Sequence, residues 1–224
     1  DPGLRGKAFA VGGSPSGRGV VTSCSYPARK LGVRSAMPTA QALKLCPNLI
    51  LVSRNHADYV HYSKLVMEIL HRYTDRIEQI SIDEAFLDIT GLSPTPRDVG
   101  NDIQEKIRME LDLPSSIGIA SNKLVAKIAT DVGKKAAGGD RPPCAITVVP
   151  PGEEREFLAP LPVQMLWGVG PKTKERLERF NIHTIGDLAG YSEIELAKHF
   201  GKHGYELGRS AKGITSSSIV TERG

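Results

Sequence analysis

The chain has 224 residues, enough for one large or two compact domains that each bury a core, and its 40% hydrophobic and 24% charged residues exclude a disordered or fibrous class. No apolar run approaches the roughly 20 residues that cross a bilayer, so no membrane partner is expected. The formal charge is +4, and the three cysteines, Cys24, Cys46 and Cys144, are far apart and lack any Cys-x-x-Cys spacing, which argues against a zinc site or disulfide framework and fits a reducing, cytoplasmic setting.

In chain order, "KAFAVGG" and "GRGVVTSCSY" are two short β-rich runs around a Gly/Ser/Pro loop at 12 to 19, the pattern of a hairpin. Pro38 opens "PTAQALKLC", where Ala40, Leu43 and Leu45 form a helical apolar set ending before Pro47. From Asp58 to Tyr73 the positions Tyr59, Tyr62, Leu65, Val66, Ile69, Leu70 and Tyr73 recur at three and four, which predicts an amphipathic helix. Residues 77 to 90 lose that period and become β-like. Val99, Ile103, Ile107 and Leu111 restore it, "SSIGIA" at 115 to 120 predicts a strand, and Asn122 caps a helix through Val132. After the loop "KKAAGGDRPP" at 134 to 143, "CAITVV" makes a last strand and the tail turns helical, with short helices at 192 to 199 and 202 to 212. This order predicts an α+β layer with helices on one face of a mainly antiparallel sheet, and a domain boundary near Val149.

The run "QISIDEAFLDIT", residues 79 to 90, sets Asp83 beside Glu84 inside otherwise apolar β-structure. A straight strand would aim one carboxylate into the core, at a cost of several kcal/mol if it stayed charged and unpaired. A tight hairpin turn at Asp83-Glu84 avoids this and lets both side chains converge, although such turns favour Asn-Gly or Asp-Gly and Glu84 gains nothing from positive φ. Two close carboxylates need a balancing cation, base or shared proton, and their oxygens suit Mg²⁺, which takes few protein ligands. A bare acidic turn in solvent is the simpler reading of Asp-Glu; the flanking Ile80, Ile82, Phe86, Leu87 and Ile89 favour the functional one. Lys and Arg gather at 27 to 34, 122 to 141 and 171 to 179, each beside a Gly-rich or turn-like segment, a distribution suited to a polyanion.

"SIDEAFLDIT", with "YPARKLGVRSAMPTAQALKLCP" and "SIGIASNKLVAKIATDVGK", resembles the Y-family, or translesion, DNA polymerases, nearest their bacterial DNA polymerase IV branch, and the likeness runs from Leu4 to about Arg223. The resemblance implies a small α/β fingers domain at 1–55, a catalytic palm at 56–149, an all-helical thumb at 150–213 and, at 214–224, a linker toward an absent fourth domain. It makes Asp83 the palm aspartate that bridges two Mg²⁺ ions and Glu84 the neighbouring ligand on the primer side. That set serves two-metal phosphoryl transfer, in which the attacking hydroxyl is acidified and charge on the α-phosphate is neutralised. Tyr26 and Arg29 resemble fingers residues that contact the incoming triphosphate, for which the Arg fork is chemically apt. Lys134 resembles the palm lysine reaching the same triphosphate, although the family usually writes Lys-Pro where this chain has Lys134-Lys135. Asp131 either orients these basic groups or is a plain helix-end carboxylate.

In "LWGVGPKTKERL", Gly168 and Gly170 permit a tight turn, and the N–H groups of the helix beginning near Pro171 form an anion pocket to which Lys172 and Lys174 add charge. The segment resembles a helix-hairpin-helix clamp on DNA phosphates, which positions a duplex without reading its sequence. The short loop Ser14 to Gly19 fits small fingers that leave the nascent pair open, with low fidelity and lesion bypass as the implied outcome. The implied partners are primer-template DNA and deoxynucleoside triphosphates, with a sliding clamp reached through the missing C-terminal part, and a monomer is expected. The family's opening Asp-x-Asp strand and its basic fourth domain are not in the sequence, and Asp1 is no substitute for the missing ligand, so the chain alone is expected to bind DNA weakly and extend a primer poorly or not at all. Two other readings stand beside this one. A non-catalytic DNA-binding relative is opposed by Asp83 and Glu84, and a nucleotide cyclase, suggested by "GGD" at 138 to 140, has no use for the phosphate clamp.

Overall fold

A computed structural model describes residues 2–137, 142–215 and 217–221. The chain divides into two units, one on Asp1–Lys64 and the other on Leu65–Ala137 with Pro143–Gly224. The first unit therefore runs some residues past the expected limit at 55, and the boundary expected near Val149 falls inside the second.

In the first unit, β1 (Phe9–Gly12) is the central strand, pairing antiparallel with β2 (Val21–Cys24) and parallel with β3 (Ile50–Val52). The hairpin is the expected one; β3 was not expected, because three residues show no period. Helix α1 (Tyr26–Lys30) was also not foreseen. Its five residues are set by Pro27 in the first turn and by Ser25, whose hydroxyl accepts from the N–H groups of Ala28 and Phe9 and donates to the Lys7 carbonyl. Helix α2 (Thr39–Leu45) buries Thr39 and Ala42 and leaves Ala40 and Leu45 exposed, so its inner face is not the expected stripe. The core is made of small side chains, with Ala10, Ala28, Val33 and Ala42 all sealed from solvent.

The second unit takes over within α3 (His56–His71), which buries Ile69 and Leu70 and leaves Tyr59 and Tyr62 exposed. Strands β4 (Ile77–Gln79) and β5 (Ala85–Leu87) form an antiparallel hairpin. Helix α4 (Pro96–Leu111) starts where the Thr95 hydroxyl accepts from Asp98 N–H and buries Val99, Ile103 and Ile107, as their spacing predicts. Strand β6 (Ile117–Ile119), helix α5 (Lys123–Ala136) and strand β7 (Ile146–Val148) follow, and the Asn122 carboxamide oxygen caps α5 by accepting from Val125 N–H.

The α+β class holds, but β6 and β7 pair in parallel, because α5 carries the chain back between them. This pair is covered on both faces rather than one. A Cβ on Gly118 would lie 2.0 Å from the Ala126 carbonyl of α5, whereas one on Gly100 of α4 would meet the Ile117, Ile119 and Ile146 side chains of the opposite face.

The tail is helical: α6 (Glu154–Leu158), a short 3-10 turn at Val163–Met165, α7 (Pro171–Glu178), α8 (Ile185–Ala189) and α9 (Glu193–Ala211), the last broken at Gly201. The break reproduces the two expected short helices. Leu158, Leu177, Ile185 and Leu188 are fully buried in one cluster with Leu124, Val125 and Ile128 of α5. Each such side chain contributes roughly 1.5–3 kcal/mol of burial, so the tail helices share a core with the strand-helix layer. Among the described residues no helix is long and apolar enough to cross a membrane.

Candidate active site

The β4–β5 ladder sets Glu78 opposite Phe86 and Gln79 opposite Ala85, and continues one step further, with Ile80 N–H donating to the Glu84 carbonyl at 2.9 Å. The tip is therefore Ser81 to Asp83, and the expected two-residue turn at Asp83-Glu84 is not formed. With Glu84 where a tight turn favours Gly, the chain uses a wider loop, closed by the Ser81 hydroxyl, which donates to Asp83 Oδ1 at 2.6 Å and accepts from Asp83 N–H. The run is also wetter than its composition suggests: Ile82 is 40% exposed and Asp83 is at the surface.

Alternation along the hairpin places Ile77, Ala85 and Leu87 with the α3–α4 core and Glu78, Phe86 and Glu84 on the other face. That second face meets α5. Lys123 Nζ lies 2.6 Å from a Glu78 carboxylate oxygen and 5.7 Å from the Phe86 ring centroid, and Lys127 forms an ion pair with Glu84. Two lysines one helical turn apart thus answer two glutamates on the hairpin. Neither lysine was singled out in the sequence, where they lie 45 and 43 residues from Glu78 and Glu84 and only their own four-residue spacing in "NKLVAK" marks a shared helix face. Asp131 stands 3.8 Å from the same Lys127 ammonium, one turn further along α5.

Asp83 and Glu84 are adjacent at the end of the hairpin, one facing solvent and one facing α5. Their oxygens are hard donors of the kind a divalent ion takes, and two carboxylates are a partial set that substrate oxygens and water would have to complete. Among the described residues no three His, Cys, Asp or Glu side chains gather as a cation cage. Lys134 is exposed on the last turn of α5, and the Gly138 to Asp140 stretch lies outside the described residues. In the first unit, the Arg29 guanidinium sits 5.4 Å from the centroid of the Tyr26 ring, and its Nε donates to the Cys24 carbonyl.

The segment 166 to 174 makes the expected turn into a helix. Gly168 has φ +88°, while Gly170 is the N-cap of α7 with an ordinary φ of −80° and no atom within 4 Å of the position of a Cβ. Only Gly168 is required by the turn itself; at Gly170 the missing side chain leaves open space at the helix N-terminus. Lys172 is exposed there, and Lys174 is tied to Glu178 at 3.4 Å. Between α5 and the turn leading into α7 is a cavity of about 410 Å³, lined by Lys127, Asp131, Gln164, Trp167 and Gly168 among others. Trp167 is 54% exposed and packs edge-on to Phe86 with 6.3 Å between ring centroids.

The sequence model of the impB/mucB/samB family matches residues 1–131, and that of the IMS family HHH motif matches residues 151–182. The chain is 46% identical over 226 residues to the DNA polymerase IV of a Listeria monocytogenes strain, covering 99% of this chain and 61% of that protein. It is 41% identical over 230 residues to the DNA polymerase IV of a Streptococcus thermophilus strain, covering 100% and 60%. The chain thus spans about three-fifths of the length of the curated relatives it matches. Among solved structures it resembles DinB from Sulfolobus solfataricus, at 30% identity and TM-score 0.83, covering 98% of this chain and 63% of that one. A post-insertion binary complex of Dbh DNA polymerase gives 30% and 0.86 with the same coverage, and a Y-family DNA polymerase chimera gives 30% and 0.87, covering 98% and 64%. With this likeness spread over nearly every element, the chain belongs to the impB/mucB/samB family, the Y family of DNA polymerases.

Proposed function

We propose that the chain is the core of a DNA-directed DNA polymerase of the translesion type, which adds deoxynucleotides to a primer on template DNA with Mg²⁺ as cofactor. The observation that carries this reading is the pairing of an acidic hairpin end, Asp83 and Glu84, with an anion-accepting turn at Gly168 to Lys174. Bound at the carboxylates, divalent ions would supply acidification of the primer hydroxyl and neutralise charge on the α-phosphate. Asp83, exposed, and Glu84, beside it, are the ligands this chain offers. Tyr26, Arg29 and Lys134 are assigned to the nucleotide triphosphate. The N-terminus of α7, with Gly168, Gly170, Lys172 and Lys174, is assigned to duplex phosphates, so affinity falls as salt rises. A cytoplasmic, monomeric protein, with a sliding clamp as a partner of the longer protein, fits the same reading.

Primer extension by a chain that carries the Asp-x-Asp strand upstream, with and without Asp83→Ala, tests the assignment. Loss of extension by orders of magnitude with duplex binding retained supports it. Unchanged extension removes Asp83 from the chemistry, and a parent chain that binds duplex DNA without extending the primer would instead favour a non-catalytic DNA-binding protein.

A further inference from the structure

The ammonium of Lys127 stands between two carboxylates from different elements, paired with Glu84 of the hairpin and 3.8 Å from Asp131 one turn further along its own helix. All three side chains are partly shielded, at 22%, 35% and 39% exposure. Its helical neighbour Lys123 is committed instead to Glu78, an almost buried partner. Lys127 and Asp131 both line the 410 Å³ cavity beside Trp167, so there is room for the ammonium to leave Glu84 while staying near Asp131.

We propose that Lys127 is a positioning residue that occupies Glu84 as a stand-in cation and passes to Asp131 when a divalent ion takes Glu84. The inference rests on the reading of Glu84 as a metal ligand. Adjacent carboxylates at 83 and 84 repel one another, and a lysine on one of them keeps the hairpin end balanced before the ion arrives. A fixed lysine would also repel the incoming ion. A second carboxylate within reach removes that conflict, because the ammonium is exchanged between acids and never left unpaired in a partly dry place.

The test is Mn²⁺ binding to the chain, read by electron paramagnetic resonance of the free ion, with circular dichroism melts to verify folding. Lys127→Met is expected to tighten binding by about threefold, the value of one partly exposed ion pair. Lys127→Gln gives the same sign should the methionine variant not fold. Lys135→Met, the same charge change on the same helix, leaves the affinity unaltered and excludes a general field effect. Asp131→Asn weakens binding in the parent and does nothing in the Lys127→Met background, which separates a seat for Lys127 from a direct ligand. Equal or weaker Mn²⁺ binding in Lys127→Met, with binding still abolished by Glu84→Gln, overturns the inference and leaves the metal site standing. Binding indifferent to Glu84→Gln in every background removes both.

Discussion

The carboxylate of Glu78 meets the ammonium of Lys123 at 2.6 Å, with the two side chains only 7% and 12% exposed, and the same carboxylate accepts the N–H of Val220 at 3.0 Å. Such a pair fastens hairpin to helix but adds little net stability over an apolar replacement, while losing one partner strands the other as a buried charge. Lys123→Met is expected to cost about 3–5 kcal/mol in urea unfolding, and Glu78→Gln/Lys123→Met to recover most of it. Additive losses in the double variant would show that the two residues act independently.

Gly168 and Gly170 should part company under the same substitution. At Gly168 the backbone has φ +88° and a Cβ would come within 3.0 Å of the His203 ring, so Gly168→Ala is expected to cost about 1–2 kcal/mol in stability. At Gly170 a Cβ meets nothing, so Gly170→Ala should leave the melting temperature in place and weaken duplex DNA binding at the helix N-terminus. Measuring both properties on both variants decides the matter, and a Gly170→Ala protein with parental DNA affinity would remove that helix end from the interface.

The helices were legible where a stripe of side chains repeats over several turns, as at Val99, Ile103 and Ile107, or where a cap announces itself, as at Asn122. Tyr26–Lys30 was not, because five residues are too few for a period and their helix depends on Ser25 bonding to Lys7 and Phe9 far away in the chain. The acidic pair was visible as an anomaly, yet its counter-charge was not. Lys127 lies 43 residues from Glu84, and only the packing of α5 on the hairpin brings them together. The turn was misplaced by the same limit, since the reach of the ladder to Ile80 and Glu84 is a property of the paired strands and not of either one.

Gly118 and Gly100 report on the two faces of the β6–β7 pair. A methyl group at 118 would lie 2.0 Å from the Ala126 carbonyl and 2.5 Å from the Thr130 nitrogen, both helix backbone, whereas at 100 it meets the tip of Ile119 at 2.9 Å. A side-chain tip can turn aside and a helix backbone cannot, so Gly118→Ala is expected to cost about 3 kcal/mol and Gly100→Ala clearly less. Chemical denaturation of the two variants gives the ranking; the reverse order would mean that α5 is free to shift away from the strand.

Acid should weaken the tail through its capping boxes. Asp187 accepts the N–H groups of Thr184 at 2.8 Å and His183 at 3.0 Å and receives the Thr184 cap in return, and these bonds, the backbone ones first, hold its carboxyl below the usual carboxylate range. Glu195 is lowered in the same way by the Ser192 hydroxyl and N–H. A depressed carboxyl contributes stability that is complete above the unfolded value, about 3.9 for Asp, and is lost as pH falls through the folded one. Asp187→Asn keeps an acceptor and removes the charge. The parent should therefore be the more stable of the two at pH 7, by an amount that shrinks below about pH 4 and closes once the carboxyl is protonated. Urea midpoints of the pair at pH 7, 4 and 2.5 test this as a difference, which cancels the other titrating groups. A gap that stays constant or widens in acid would show that the Asp187 charge does not hold the start of α8.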